Sequence, residues 1–437
     1  MEEKKQNQID ESKYSMETRF IYGKNVTSKW VFTHHVTAPI SSSTTFRLDS
    51  VERGAEGFLE FANLNKADEK KEPIYIYDRL GEPNKEILEE NLAFVEKGEI
   101  AVTFSSGMAA ISAILGVLLK TGDELIAHET LYGCTISLLN NWYPRFGIKV
   151  HRIDLTNAEN IRSVINNNVK AVYFETPCNP NLEIIDIAEV RRIIDEINKT
   201  RDENNKIKIV VDNTFSTPYC QRPIEYGADF VVHSLTKGIG GFGTDMGGVV
   251  IGPKEYRDIL LLYRKDFGGV LNTKSAWAIL TYGLPSLHIR QKQMVATATK
   301  LAEYLNSHPK VEFVNYPGLP NFKFYNVAKK QMKDYAGNFA PGSMIYFALK
   351  GKDAEDSKQK GIKFMNYAAD NAYTMTLAVS LGHTRTLIEH PASMTHCVVP
   401  LDKLAEYKIH PGGIRIACGL ENPEDILMDL ENCLKIV

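Results

Sequence analysis

The sequence predicts an α/β protein: a mainly parallel sheet flanked by helices, with a smaller α+β C-terminal domain. Three observations predict it. From about residue 85 to Ile251, short β-branched or aromatic runs alternate with amphipathic stretches, the rhythm of βαβ units around a buried sheet. After residue 307, strand and helix patterns follow one another without strict alternation. The chain has 437 residues, 43% hydrophobic and 24% charged, which suits two or three units with sizeable cores and excludes a mostly disordered chain.

In chain order, residues 1–20 read as a mobile polar arm and 67–73 as a charged connector. Asn84–Lys97 places Ile87, Leu88, Leu92, Phe94 and Val95 at helical spacing. The expected strands of the sheet are Ile100–Phe104, Glu124–Ala127, Ala171–Glu175, Ile207–Asp212, Phe230–His233 and Gly248–Gly252. Met108–Leu119 is strongly apolar but too short to span a bilayer, so it reads as a core helix. Ser275–Leu305 reads as one long helix. Beyond it come strands at Ser343–Leu349, Tyr373–Val379 and Gly413–Ala417, and helices at Ser357–Ala369 and Pro423–Ile436.

With 51 basic and 54 acidic residues the net charge is −3, so no global field draws the chain to nucleic acid or an anionic membrane. The first fifteen residues lack the apolar core of a secretory signal, which makes the cytoplasm the expected compartment and reduced thiols the expected state of the six cysteines. None of them forms a CxxC pair, and His34 and His35 have no ligand-spaced partner, so no metal is expected.

Ligand sites of such sheets lie at the carboxyl ends of the strands. There the sequence places Ser105-Ser106-Gly107-Met108 opening a helix, Glu175-Thr176-Pro177-Cys178-Asn179-Pro180, Asp212-Asn213-Thr214, and His233-Ser234-Leu235-Thr236-Lys237-Gly238. Singly, these residues read equally as caps, turns or surface groups. As an ordered set they offer an anion cradle, an amide, a carboxylate, hydroxyls and a lysine, which suits pyridoxal 5'-phosphate (PLP).

The motifs Y-D-R (77–79), S-S-G-M-A-A (105–110), L-Y-G-C-T (131–135), E-T-P-C-N-P (175–180), V-D-N-T (211–214), H-S-L-T-K (233–237), Y-P-G-L (316–319), H-P-A-S-M-T-H (390–396) and G-G-I-R-I-A-C-G-L-E (412–421) resemble the Cys/Met-metabolism, or trans-sulfuration, family of PLP-dependent enzymes. That resemblance implies a fold-type-I PLP transferase fold, like aspartate aminotransferase. It divides the chain into an N-terminal arm that contacts a neighbouring subunit (1–81), a PLP-binding large domain (82–287) and a C-terminal α+β domain (288–437).

The resemblance also assigns roles. Lys237 forms the covalent link to the cofactor and acts as base, and Asp212 partners the pyridine nitrogen. Ser106, Gly107, Met108, Ser234 and Thr236 hold the phosphate, with Thr214 beside them. Tyr77 and Arg79 reach a neighbour's phosphate across a dimer interface. Tyr132 stacks on the cofactor and protonates a departing thiolate, and Asn179 bonds the ring oxygen. Arg415 clamps the substrate carboxylate with Asn179 and Ser380 nearby.

Within the family, Val379 stands where cystathionine enzymes typically carry Glu, and Ser380-Leu381-Gly382 differs from the N-V-G of O-acetylhomoserine sulfhydrylases. Cys134 and the pair Lys265-Asp266 resemble methionine γ-lyases. The expected activity is α,γ-elimination of L-methionine or a related S-substituted homoserine by a homotetramer, a dimer of dimers. The alternatives are O-acetylhomoserine sulfhydrylase, cystathionine γ-lyase or γ-synthase, and a non-catalytic PLP-fold binding protein. The chain departs from the family pattern at Glu82, Asn84, Leu235, Gly238, Phe242, Met294 and the run Gly382-His383-Thr384-Arg385.

Overall fold

A computed structural model describes residues 13–23, 35–62, 73–395, 397 and 400–437, with the side chains of 406 and 407 excepted. The connector at 67–72, His34 and most of the first twenty residues lie outside these ranges.

The N-terminal part holds α1 (Met16–Tyr22), α2 (Val51–Ala62) and α3 (Pro83–Glu96). The expectation of a mobile polar arm fails over α1. Phe20 is buried, with its ring 5.4 Å from Tyr335 and 5.9 Å from His288, so one aromatic residue anchors an otherwise polar segment. Helix α3 begins where Glu82 accepts hydrogen bonds from the Asn84 and Lys85 amides, an N-cap followed by Pro83 at the first helical position.

The large sheet contains β1 (Ile100–Phe104), β2 (Glu124–His128), β3 (Lys149–Ile153), β4 (Val169–Glu175), β5 (Lys208–Asp212), β6 (Phe230–Ser234) and β7 (Gly248–Gly252). Their order is β1-β7-β6-β5-β4-β2-β3, parallel except at β7, which runs antiparallel to both neighbours. Between and after these strands run α4 (Gly107–Leu118), α5 (Gly133–Ser137), α6 (Ile187–Asn198), α7 (Thr217–Cys220), α8 (Arg257–Phe267) and α9 (Thr273–Ala278). Two apolar clusters cover the sheet, one containing Val172, Val211 and Val231, the other Ala171, Val210 and Val232. Alternate residues of each strand thus enter opposite cores.

The long helical stretch is broken. Residues 279–283 form a π-helical turn before α10 (Leu284–Ser307). Gly283 approaches the Ile239 carbonyl so closely that a Cβ would lie 2.7 Å from it. Helix α10 spans the expected 287/288 boundary, with Leu284 and Leu287 in a large-sheet core and Ala298, Leu301 and Leu305 in the C-terminal one.

The C-terminal part holds β8 (Val311–Asn315), α11 (Tyr325–Gln331), β9 (Met344–Leu349), α12 (Ala354–Asn371), β10 (Met375–Leu377), β11 (Thr386–Glu389), β12 (Gly413–Ala417) and α13 (Pro423–Lys435). Its sheet order is β10-β11-β12-β9-β8. The strand expected at Tyr373–Val379 shortens to β10, because Ser380 takes a left-handed conformation (φ 103°) that turns the chain toward the large domain. Among the described residues, no helix is long and apolar enough to cross a membrane.

Candidate active site

Four strand ends of the large sheet converge. Ser106 N-caps α4 by accepting the Ala109 amide at 3.1 Å, so the first amides of a twelve-residue helix face the site. A Cβ on Gly107 would lie 2.9 Å from Ser234 Cβ, and one on Gly248 would lie 2.0 Å from the Ser106 carbonyl oxygen. Glycine therefore lets the ends of β1, β6 and β7 close into a narrow cradle. Ser234 donates its amide to Thr214 Oγ1 at 2.9 Å, and Thr236 Oγ1 accepts the Gly247 amide at 3.2 Å. Met108 Sδ lies 3.9 Å from Thr135 Oγ1.

Asp212 ends β5. Its carboxylate accepts the Thr214 amide at 2.9 Å and faces the Tyr173 hydroxyl at 3.5 Å. Glu175 stands opposite it in register on β4. Burial, and then the Asp212 charge, push the Glu175 carboxyl well up, and burial raises the Asp212 carboxyl as well. Glu175 also accepts the Tyr132 amide at 2.7 Å. Tyr132 caps α5 with its ring 44% exposed, and its hydroxyl accepts a hydrogen bond from Cys134 Sγ at 3.4 Å. That contact, with burial, pushes the phenol up to about 12. Tyr173, Glu175 and Thr135 escaped the sequence reading as functional residues; a carboxylate beside Asp212 was visible only as the first letter of the E-T-P-C-N-P motif.

The C-terminal domain closes the site. Lys237 Nζ donates to Ser380 Oγ at 2.8 Å. Arg415 Nη2 donates to the Ser380 carbonyl at 3.1 Å, and Nη1 donates to Asn179 Oδ1 at 2.8 Å. Gly382 (φ +72°) permits this approach, since a Cβ there would lie 2.4 Å from the Gly238 amide. Burial, and then the Arg415 charge, hold the Lys237 amine below the usual lysine range. Arg415, 5% exposed, is ion-paired with Glu389, 2% exposed, directly across β12 and β11. Glu389 is not among the residues that the motifs assign to the site; its one signal in the sequence is an acid at the end of the apolar run T-L-I-E. Val379, 58% exposed, flanks Ser380.

Two expected groups sit elsewhere within this chain. Lys265 Nζ pairs with Asp266 at 3.2 Å, and the Lys265 carbonyl accepts Arg79 at 2.6 Å. Among the described residues no hydrogen bond or ion pair joins them to Tyr132, Cys134 or Arg415. Tyr77 and Arg79 are exposed, the guanidinium 5.6 Å from the Tyr77 ring centre. Lys85 holds the turn between them by donating to the Asp78 carbonyl and carboxylate.

His128, Cys178 and Glu183 cluster in the interior. The His128 Nδ1 accepts the Leu155 amide at 3.1 Å, so in the neutral ring Nε2 carries the proton and offers no lone pair to a metal. Glu183 is engaged by Lys408 at 2.9 Å.

The donor set fits PLP. A glycine-walled cradle at a helix start suits the phosphate, a carboxylate at the end of β5 suits a ring nitrogen, and a lysine with a weakened hold on its proton suits the covalent link.

Residues 17–435 match the family model described as Cys/Met metabolism PLP-dependent enzyme. The L-methionine gamma-lyase of Fusobacterium nucleatum subsp. polymorphum is 41% identical over 399 residues, covering 91% of this chain and 93% of that protein. The enzyme of the same name from Porphyromonas gingivalis is 40% identical, covering 91% and 92%. Among solved structures, cystathionine gamma-lyase from Lactobacillus plantarum complexed with L-serine superposes with a TM-score of 0.81 at 29% identity, covering 97% of this chain and 99% of that one.

Proposed function

We infer the reaction from one premise: this chain belongs to the Cys/Met metabolism PLP-dependent enzyme family. It is a PLP-dependent carbon–sulfur lyase, and its proposed reaction is α,γ-elimination of L-methionine to 2-oxobutanoate, ammonia and methanethiol, with one water consumed. The observation that carries this reading is the meeting of Lys237 and Arg415 on one residue, Ser380, beside the exposed apolar Val379. An amine base and a carboxylate clamp are thereby spaced for an α-amino acid whose side chain ends in a thioether.

PLP, when bound, supplies an electron sink for negative charge at the substrate Cα. Arg415 grips the substrate carboxylate, and Asn179 and Glu389 keep its guanidinium in place. Lys237, whose hold on its proton is weakened by burial and then by Arg415, takes the Cα proton. Asp212, oriented by Thr214, bears the charge that partners the ring nitrogen. Tyr132 retains its proton at neutral pH and delivers it to the departing sulfur. Ser106, Gly107, Met108, Ser234, Thr236 and Thr214 serve the phosphate. Cys134, hydrogen-bonded to the Tyr132 hydroxyl, borders the substrate. Tyr77 and Arg79 serve the site of a neighbouring subunit in a homotetramer. The cytoplasm is the proposed compartment, in keeping with six free cysteines.

The deciding assay supplies methionine, cystathionine, and O-acetylhomoserine with sulfide, side by side. Methanethiol and 2-oxobutanoate from methionine alone are expected. Turnover confined to O-acetylhomoserine with sulfide would replace the lyase reading with a sulfhydrylase.

A further inference from the structure

The run Gly382-His383-Thr384-Arg385 is left unused by the chemistry above. His383 is half-buried, and its Nε2 lies 3.4 Å from Ser380 Oγ, the hydroxyl that accepts Lys237 Nζ at 2.8 Å. The imidazole rests on Gly243 (φ +72°), where a Cβ would lie 2.4 Å from the ring. The next residue, Thr384, donates its amide to the Gly241 carbonyl at 3.1 Å. The ring is therefore pinned between the glycine-rich loop of the large domain and the loop that carries Ser380.

A serine hydroxyl has one proton and two lone pairs. If it accepts from Lys237, its own proton must be given to another acceptor. His383 Nε2, 3.4 Å away, stands where that acceptor is needed, and burial holds the imidazole below its ordinary value, which favours the neutral ring that can accept. We propose that His383 is a positioning residue for Lys237: by taking the Ser380 hydroxyl proton, its Nε2 turns the hydroxyl lone pair onto the lysine amine. The free amine is thereby aimed in the interval when it must take the Cα proton. This inference rests on the reading of Lys237 as the base.

The test uses purified holoenzyme and two readouts. One is exchange of the Cα hydrogen of L-alanine in deuterated solvent, followed by NMR, since alanine has no γ leaving group. The other is the visible circular dichroism of the bound cofactor. His383→Leu is expected to slow exchange about five- to tenfold, the effect of one lost hydrogen bond, with KM held within about twofold and the dichroic band altered. His383→Gln retains an acceptor and is expected to restore both readouts. Combining His383→Leu with Ser380→Ala is expected to be no worse than Ser380→Ala alone, because both remove one linkage. If the Leu variant does not fold, His383→Phe keeps a ring on Gly243 without an acceptor. Unchanged exchange in the folded Leu or Phe variant, equal loss in the Gln variant, or additive effects with Ser380→Ala would each overturn the role of His383. A wild-type protein that fails to exchange alanine would instead overturn the reading of Lys237.

Discussion

Lys237 is a half-buried amine with a guanidinium nearby, and both features disfavour its charged form. Capture of PLP by cofactor-free protein requires the neutral amine. The capture rate, followed by visible absorbance, is therefore expected to rise with pH and to reach half its plateau below the ordinary lysine value of 10.5; a midpoint at or above that value contradicts the geometry. Arg415 presents a different balance. Arg415→Leu leaves Glu389 buried without its cation, which costs about 3–5 kcal/mol, whereas Arg415→Leu with Glu389→Leu is expected to recover much of that loss in urea denaturation. Lys237, Asp212 and Arg415 were legible in the sequence because each sits in a short motif. Glu389, Tyr173 and Glu175 were not, because their importance is a property of the facing strand: Glu389 opposite Arg415, and Glu175 opposite Asp212.

Helix α3 shows what an element adds to its residues. Its cap, Glu82, is buried, and that burial pushes the carboxyl up to about 7 from 4.5. The folded chain then holds a proton that the unfolded chain releases, so stability is fully present below about pH 4.5 and falls as pH rises toward about 7. Glu82→Gln, which keeps a cap acceptor, is expected to flatten this decline in urea midpoints measured across that window. Strands buried on both faces were readable as apolar runs, and β1 and β7 fall on their expected bounds. Strands β3, β8 and β11 are not legible as strands in the sequence. Strands β3 and β8 lie at sheet edges, where Lys149, Arg152 and Glu312 interrupt the apolar pattern, and β11 has only four residues. Helix α1 was hidden because Phe20 is its one buried side chain.

At the scale of the whole molecule, the exposed Tyr77–Arg79 turn is held rigidly by Lys85 yet makes no hydrogen bond or ion pair to the cradle of its own chain among the described residues. If it completes a neighbour's site, Arg79→Ala and Lys237→Ala proteins, each inactive, should regain activity when unfolded together and reassembled, since a mixed dimer contains one intact site. Absence of recovery would confine the turn to a structural role. By itself the sequence determined the strand-end chemistry, the cofactor and the family, because helix caps, apolar runs and motif residues express interactions between neighbours in the chain. Only the tertiary structure decided that Lys237 and Arg415 meet on Ser380, that Glu389 neutralises the clamp, and that His383 stands behind the hydroxyl. Those contacts join residues as far apart as 143 positions and depend on strand register and on the close approach that Gly382 allows, which arise only when the two sheets are packed together.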